Sequence, residues 1–384
     1  MRHRRFTIYA LALLAVSLPL QVRRVVNSDE SFAAQTDFPA FYDAGRNLNE
    51  LPRGSLYDAE AQQRLYRETA PDAPEGSALP FVYPPWFAAL FSPAARLPYV
   101  AAYLVWLAFS LALFVAGFVY LWGALGLWPE WRWAALAVAV AFAPFHVYTL
   151  LGGQTAAFGF FWLALAVGLE RRGRLFLSGA ALGFLTYKPP LLLFVLPLLL
   201  LSGRWKQLKG WCAAAAALGA LSVAVVGVDG AFAYAGALRR YAALKSSGVN
   251  FPLFKFVDAQ SALQLVGVPH ARVVVAALAL AALPFAVRVW RRRPAAAWPF
   301  AVALTLLLSG YTPIYDTSLA VVAALAALSA RGAERRLLAA FALLFVSGFA
   351  TQILAGALNF PLMTAALAAF AVLLYTERPR TPPA

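Results

Sequence analysis

The chain has 384 residues, of which 62% are hydrophobic and only 13% are charged, and its mean hydropathy is +0.69. Soluble domains are about 45–50% apolar, so a water-soluble fold of this length could not bury this much apolar surface. This hydrophobic composition excludes a cytosolic enzyme and a disordered protein. A secreted scaffold held by disulfides is excluded too, because Cys212 is the only cysteine. The net charge of +15 does not indicate a nucleic-acid partner, since basic cytoplasmic loops give membrane proteins the same excess of positive charge. We therefore predict no nucleic-acid partner.

The N-terminal part of the chain predicts one helix followed by a large loop. Basic residues 1–5 precede an apolar run, predicted as a retained helix at 6–26 because no small-residue cleavage site follows it. A polar, proline-rich segment at 27–99 holds ten of the 17 acidic residues, so we predict it as the first extracytoplasmic loop. Within this loop, residues 58–69 are predicted as a helix on the membrane surface, with Leu65 and Tyr66 facing lipid. The loop either roofs a cavity between helices or covers helix ends.

Beyond residue 99, apolar runs alternate with short breaks. The one further long polar stretch, residues 229–269, is predicted as a second extracytoplasmic loop. The remaining length allows about twelve spans of about 20 residues each. We therefore predict an all-α polytopic membrane protein that forms a single domain over residues 1–384. The predicted later spans are 100–122, 132–149, 153–169, 174–187, 189–202, 209–228, 270–288, 297–310, 316–330, 336–354 and 358–375.

Short basic clusters give the predicted orientation. If the N-terminus is cytoplasmic, every such break falls on the cytoplasmic side, as the positive-inside rule requires. Both termini are therefore predicted to be cytoplasmic in a multi-pass protein of the plasma (inner) membrane. The excess of Arg over Lys and the Ala/Leu bias favour a bacterial host. The breaks in question are 170–174, 204–209, 288–293, 331–336 and the tail at 376–380.

Polar side chains beside the spans are predicted to share the opposite, extracytoplasmic face. Each has a structural alternative: Gln154 in a helix turn, Lys188 snorkelling to the interface, or Asp316 as an N-cap. Because such groups cost about 2.5–3.5 kcal/mol within a span, a set that shares one face indicates function. The set is Asp37, Asp58, Tyr83, Gln154, Lys188, Arg239, Arg240, Lys245, Asn250, Tyr311, Tyr315 and Asp316.

The predicted face restricts the chemistry. Nucleotide sugars and ATP are cytoplasmic, and the sequence has no P-loop, Rossmann glycine fingerprint, Asp-x-Asp pair or zinc-ligand spacing. Group transfer here would need a donor delivered through the membrane, such as a polyprenyl-phosphate sugar. Its phosphate is a good leaving group, so one carboxylate for the acceptor hydroxyl and cations for the phosphate would suffice. Lys188, Arg239 and Arg240 are the predicted phosphate ligands.

Three segments of the first loop resemble a known signature. They read DFPAFYDAG at 37–45, LYD at 56–58 and FVYPPWF at 81–87. Together they resemble the first-loop signature of glycosyltransferase family 87, which contains the polyprenyl-phosphate-mannose-dependent mannosyltransferases. Gly153-Gln154, Lys188-Pro189 and Tyr315-Asp316 are similar to later landmarks of that family, in the same order.

The resemblance implies a GT-C fold, a catalytic acid in the first outer loop and inverting transfer without a metal. On this basis Asp37 is the expected general base, with Asp29 and Glu30 as the competing choice. A hexose would move to a lipid or glycan acceptor. Mannose is the family's best-known donor sugar, although no histidine lies near Tyr315, where some members carry one. The expected substrate-binding residues are Tyr42, Tyr83, Gln154, Tyr315 and Asp316.

A transporter or flippase of a lipid-linked glycan is the alternative function. Such a protein would line a path through the bilayer from both sides with polar residues, and many transporters contain internal repeats. The sequence shows neither feature. The alternative predicts movement of labelled lipid without formation of a new glycosidic bond.

Overall fold

The computed structural model describes residues 7–9, 11–16, 33, 36–74, 79–247 and 252–376. Over these ranges the chain is helical throughout, with 81% helix and no strand. A single antiparallel bridge joins Phe256 and Pro313. The predicted all-α class is confirmed. Asp29, Glu30, Asn250 and much of the predicted helix 6–26 lie outside the described residues.

Helices of very different length alternate along the chain. Short 3₁₀ and π segments join several of them, including Pro144–Leu151, Phe184–Tyr187, Pro189–Leu192, Leu253–Lys255 and Ile314–Leu319. The α-helices are α1 (Thr7–Val16), α2 (Pro39–Glu50), α3 (Ala59–Thr69), α4 (Pro85–Ala89), α5 (Tyr99–Ala124), α6 (Arg132–Ala141), α7 (Ala156–Arg171), α8 (Leu175–Gly183), α9 (Val195–Leu201), α10 (Trp205–Ser247), α11 (Ala259–Leu265), α12 (Ala271–Arg292), α13 (Pro294–Leu308), α14 (Ala320–Arg331), α15 (Arg335–Leu358) and α16 (Leu362–Thr376).

In the described part of the chain, five helices are long and apolar enough to cross a membrane, and there are six if one bent pair forms a single span. That pair, Pro129–Ala141 and Pro144–Leu151, is bent by 61°. The predicted number of about twelve spans is not confirmed, because several predicted spans are helices of 10–17 residues. Proline is one physical reason: Pro189 and Pro190 divide the apolar run into Leu175–Tyr187 and Pro189–Leu201.

Helix α10 consists of two helices joined at Gly227, whose backbone is not helical, with φ 77° and ψ 176°. This break lies within one residue of the predicted end of the span 209–228, and the second helix continues to Ser247 through part of the predicted second loop. At 1.5 Å per residue, the first helix, residues 205–226, rises about 33 Å, close to the thickness of the hydrocarbon core. The polar residues Asp229, Arg239 and Arg240, which suggested a loop, lie on the second half of this helix.

The first loop folds onto the helical bundle through aromatic side chains. Phe38 is fully buried and packs against Tyr103 and Trp106 of α5, with ring centroids 5.7 and 6.5 Å away. Phe87 packs against Phe158 of α7 at 5.3 Å. The aromatic cluster of the loop is therefore continuous with the core of the bundle.

Helix α3 confirms one prediction and overturns another. It spans Ala59–Thr69, and the side chain of Asp58 caps it by accepting from the Ala61 backbone N–H at 2.7 Å. The expectation that Leu65 and Tyr66 face lipid is wrong, because both are buried within the protein, at 2% and 8% exposure. An apolar helix face contacts protein or lipid equally well, so the pattern alone could not distinguish them.

The basic breaks of the sequence meet at one end of the bundle. Glu170 accepts hydrogen bonds from Gln207 Nε2 and Trp298 Nε1 at 2.8 and 2.7 Å. Arg293 Nη1 donates to the Tyr375 carbonyl at 2.7 Å, which joins α12 to the end of α16. The described parts of these breaks therefore lie close together, and their side of the membrane stays a prediction.

Candidate active site

Asp37 and Gln154 are brought together from the first loop and the turn before α7. Gln154 Nε2 donates to Asp37 Oδ2 at 2.7 Å, and the Asp37 backbone N–H donates to the Gly152 carbonyl at 2.9 Å. Asp37 is only partly buried, and none of the described residues hydrogen-bonds its other oxygen, Oδ1. Gln154 is 5% exposed, and its Oε1 has no hydrogen-bond partner in the described parts of the chain. The pair therefore leaves two acceptor atoms without a hydrogen-bond partner in the described structure.

Gly153 explains why this turn carries glycine. Its φ is +70°, and a Cβ at this position would lie 2.6 Å from the Cβ of Phe38. Both the backbone conformation and the close approach exclude a larger residue. The Gly-Gly-Gln turn therefore anchors the first loop beside Asp37, in addition to linking two helices.

The electrostatic surroundings of Asp37 bear on its use as a base. Burial raises the pKa of its carboxyl group above the ordinary value. The hydrogen bond from Gln154 and the positive charge of Lys255 lower this pKa and partly offset the effect of burial. A carboxylate with a raised pKa is a stronger base than an ordinary one.

A cavity of about 590 Å³ is lined by residues of the first loop, α10, α11, α12 and the segments around Lys188 and Tyr311. Asp37 and Gln154 are not among the lining residues, but Tyr241 in the cavity wall is near enough to feel the charge of Asp37. Val82 and Tyr83 belong to its wall, so the first loop contributes to the cavity as well as covering helix ends. Tyr83 also stacks on Tyr187, with ring centroids 6.0 Å apart. The lining combines polar and aromatic side chains, such as Lys188 and Tyr311, with apolar ones, such as Leu193 and Leu280.

Lys188 lines the cavity and forms a buried ion pair with Asp316. Lys188 Nζ lies 2.5 Å from Asp316 Oδ2, and the two side chains are 4% and 0% exposed. The ammonium group also lies over the rings of Tyr315 and Tyr311, 4.5 and 5.3 Å from their centroids. The structure thus joins Lys188 to the turn that holds Tyr311, Tyr315 and Asp316, which the sequence placed separately. Neither snorkelling of Lys188 nor capping by Asp316 describes this arrangement.

A second buried ion pair, which the sequence analysis did not identify, joins Lys245 to Asp258. Lys245 Nζ lies 2.9 Å from Asp258 Oδ2 and donates to the Gly310 carbonyl at 2.5 Å. Asp258 also accepts from Ser261 Oγ at 2.9 Å and from the Thr312 backbone N–H at 3.0 Å. This network connects the end of α10, the start of α11 and the turn before α14. We name it the Lys245 clasp.

Several predicted site residues lie outside the cavity. Arg239 is exposed on α10, and Arg240 Nη2 donates to the Tyr57 carbonyl at 3.4 Å. Tyr42 donates to the Leu97 carbonyl at 2.9 Å and packs on Tyr99. None of these three lines the cavity. Their predicted contacts with substrate stay predictions.

Two lining residues were missed, and a pattern in the sequence could have revealed one of them. Gln260 and Arg272 both line the cavity, and neither forms a hydrogen bond or an ion pair with any described residue. Arg272 precedes Val275, Ala276 and Ala279 at the spacing of one helix face. A cation at the N-terminal end of an apolar helix face can be recognised in a sequence, so Arg272 could have been found. No sequence pattern distinguishes Gln260.

Nothing in the described ranges groups three or more His, Cys, Asp or Glu side chains suitably for a metal ion. The side chains of the candidate site carry carboxylate, amide, ammonium and phenol groups. Transfer without a metal stays a prediction.

Comparison with known proteins identifies the family. A sequence model of glycosyltransferase family 87 matches residues 81–310, more than half of the chain. The match covers Tyr83, Gln154 and Lys188, and it leaves Asp37 and Asp316 outside its limits. No curated protein and no solved structure matches the chain. The chain therefore belongs to glycosyltransferase family 87, and it is an enzyme with glycosyltransferase activity.

Proposed function

We propose that this enzyme transfers a hexose, with inversion, from a polyprenyl-phosphate sugar to a hydroxyl group of a lipid or glycan acceptor. The observation that carries the proposal is Asp37, whose Oδ1 has no partner among the described residues and whose charge acts on Tyr241 in the wall of an amphipathic cavity. Mannose is proposed as the hexose because the family resemblance favours it.

The cavity supports a lipid donor because it opens sideways. Leu193 and Leu280 line it and are 63% and 72% exposed, so they lie on the apolar surface that lipid would contact. A prenyl chain could enter between them without leaving the membrane, whereas a nucleotide sugar would have to cross apolar surface. The polar and aromatic lining residues Tyr83, Lys188 and Tyr311 would receive the sugar.

The proposed reaction is a single displacement at the anomeric carbon. The acceptor oxygen forms a bond to this carbon while the bond from carbon to the phosphate oxygen breaks, and its electron pair leaves with the lipid phosphate. Asp37 Oδ1 takes the proton of the acceptor hydroxyl. Gln154 holds Oδ2, and Oδ1 has no hydrogen-bond partner among the described residues, so it is the oxygen that would accept the proton. Because the phosphate is a good leaving group, no general acid is required.

We further propose a GT-C-like arrangement in a bacterial plasma membrane, with the site on the extracytoplasmic face and both termini in the cytoplasm. The shorter apolar helices would complete the bundle as partial spans. Helix α13, with 15 residues, supports this view because it is buried on every side from Ala296 to Leu307. The positive-inside rule supports the orientation.

The decisive experiment is Asp37→Asn in the purified full chain. We expect transfer of labelled mannose from polyprenyl-phosphate mannose to a lipid extract to fall by about 10²–10⁴-fold, because the base is lost. Binding of the donor and the melting temperature should stay as in the wild type. Asp229→Asn, an exposed carboxylate on α10, is the matched control and should retain activity. Near-normal transfer by Asp37→Asn would exclude Asp37 as the base.

A further inference from the structure

The charges that line the cavity are paired in all but one case. Lys188 and Lys245 each lie within 2.9 Å of a carboxylate that is 0% exposed, so each pair is neutral overall. Among the described residues that line the cavity, Arg272 is the one remaining cation, and no carboxylate lies within ion-pair distance of it. The lining therefore carries a single net positive charge.

Gln260 adds a neutral donor to this charge. It is 6% exposed, lines the same cavity and makes no hydrogen bond with any described residue. Its Oε1 would lie 3.1 Å from a Cβ placed on Gly310, the residue whose carbonyl accepts from Lys245. The amide atoms of Gln260 are not among the fully enclosed side-chain atoms without a partner, so they reach the cavity, where a ligand or water can satisfy them.

Arg272 also begins the apolar part of the cavity wall. The lining residues of α12 recur at helical spacing from Arg272 through Val275, Ala279 and Leu283. From Arg272 to Leu283 the helix rises about 16 Å. The charge thus stands at one end of a continuous apolar wall, which matches a molecule with an anionic head and a long apolar tail.

Resting on the proposed function, we propose that Arg272 and Gln260 bind the phosphate of the lipid donor, and that the single charge selects a donor with one phosphate over one with two. A sugar linked through one phosphate to a polyprenyl chain is a diester with one negative charge. The corresponding diphosphate carries two negative charges, and no unpaired cation of the cavity wall remains to bind the second charge. The guanidinium fork would bind the two free oxygens of the diester, with the Gln260 amide as a further donor.

Binding of three lipids to the purified full chain in nanodiscs tests this proposal. The probes are polyprenyl-phosphate mannose, polyprenyl-diphosphate mannose and polyprenol, with the same chain length and no acceptor present. We expect the wild type to bind the monophosphate most tightly. Arg272→Gln should weaken that binding by about tenfold to a hundredfold, as expected for a lost charged hydrogen bond. It should leave polyprenol binding and the melting temperature unchanged.

Two further variants make the test specific. Gln260→Leu should weaken monophosphate binding by about twofold to tenfold. Arg288→Gln is the matched control, because Arg288 is exposed on the same helix, 16 residues further along and outside the cavity lining. It should bind all three lipids as the wild type does. A phospholipid headgroup offers the same phosphodiester, so phosphatidylglycerol is added as a competitor and should displace the donor poorly.

The outcomes separate the two proposals. If the wild type binds polyprenol as tightly as polyprenyl-phosphate mannose, the proposed donor is wrong. If the wild type prefers the monophosphate and Arg272→Gln retains this preference, only the assignment of Arg272 is overturned. Equal or tighter binding of the diphosphate overturns the selection by charge. Efficient displacement by phosphatidylglycerol would identify a general phospholipid site instead.

Discussion

At the scale of single residues, Gln154 determines how Asp37 can act. Its amide donates to one carboxylate oxygen and leaves the other without a partner in the described structure. This hydrogen bond also lowers the pKa of Asp37 against the opposing effect of burial. Gln154 is therefore a positioning residue for the proposed base, in addition to its predicted contact with substrate.

Removal of this amide should move the pH dependence of the reaction. In Gln154→Leu the pKa of Asp37 should rise, because the hydrogen bond that favours the charged carboxylate is lost. Asp37 must be ionised to accept a proton, so the acidic limb of the rate profile should shift to higher pH. Gln63→Leu, a change on the loop helix α3, should leave the profile in place. Steady-state rates between pH 5 and 9 measure the position of the acidic limb. An unshifted limb in Gln154→Leu would contradict the positioning role.

Asp43 is a second unusual carboxyl group in the first loop. It is 5% exposed, accepts from Thr69 Oγ1 at 2.6 Å, and has a buried Oδ2 without a partner in the described chain. Burial raises its pKa from 3.8 to about 7. Between these two values the folded protein binds a proton that the unfolded chain releases. The free energy of unfolding should therefore fall as the pH rises from about 4 to about 7.

Asp43→Asn should remove this pH dependence. The amide resembles the neutral carboxyl group, so the variant should be more stable than the wild type at pH 8, by an amount on the order of a few kcal/mol. At pH 4 the two proteins should melt at similar temperatures. Melting curves of the full chain in detergent at several pH values measure the effect, with the exposed Glu60→Gln as control. A wild-type melting temperature that rises between pH 4 and 7 in step with Asp43 would contradict the sign.

At the scale of elements, α10 decides where the second polar stretch lies. The kink at Gly227 separates a half that contacts the bundle from a half that carries Tyr241 and Lys245 into the cavity wall. Nothing lies within 4 Å of a Cβ at Gly227, so its φ of +77° is the reason that this position favours glycine. The Lys245 clasp then ties the end of this helix to α11.

Two glycines of α10 provide a matched pair. Gly227→Ala should destabilise the protein by about 1–2 kcal/mol, because alanine is strained at positive φ. Gly219→Ala should stabilise it by about 0.5–1 kcal/mol, since Gly219 is helical, has space for a Cβ and lacks the positive φ. Denaturation of both variants in the same detergent tests the pair. If Gly227→Ala proves as stable as Gly219→Ala, the kink does not constrain the helix.

At the scale of the whole molecule, the two ends of the bundle differ in chemistry. One end holds the basic breaks around Glu170 and Arg293, and the other holds Asp37, Lys188 and the Lys245 clasp. This separation supports the proposed orientation, in which the basic end faces the cytoplasm.

Cysteine labelling tests this orientation. In a Cys212→Ala background, which removes the only cysteine, Arg64→Cys places a thiol on α3 and Arg335→Cys places one at the start of α15. A membrane-impermeant maleimide should label the first variant in spheroplasts and the second only after lysis. Unmodified Cys212→Ala protein controls for background. The reverse pattern would invert the proposed topology.

How far the sequence predicts the site depends on the kind of residue. Asp37, Gln154, Lys188 and Asp316 could be selected because polar groups beside apolar runs are rare. The sequence could not predict which of them pair, because Gln154 lies 117 residues from Asp37 along the chain. Arg239 was selected for its charge, yet the rotation of α10 about its axis leaves it exposed and turns Lys245 inwards.

The sequence by itself determined the membrane class, the positions of helices such as α5, α12 and α15, and the separation of basic breaks from acidic turns. These follow from the transfer of apolar and charged groups between water and lipid, which depends on composition and local order. Only the tertiary structure decided that Arg272 lines a cavity, that two lysines are neutralised, and that Leu65 and Tyr66 are buried. Lipid and protein interior are equally apolar, so hydrophobicity alone does not reveal which face of a helix meets another helix.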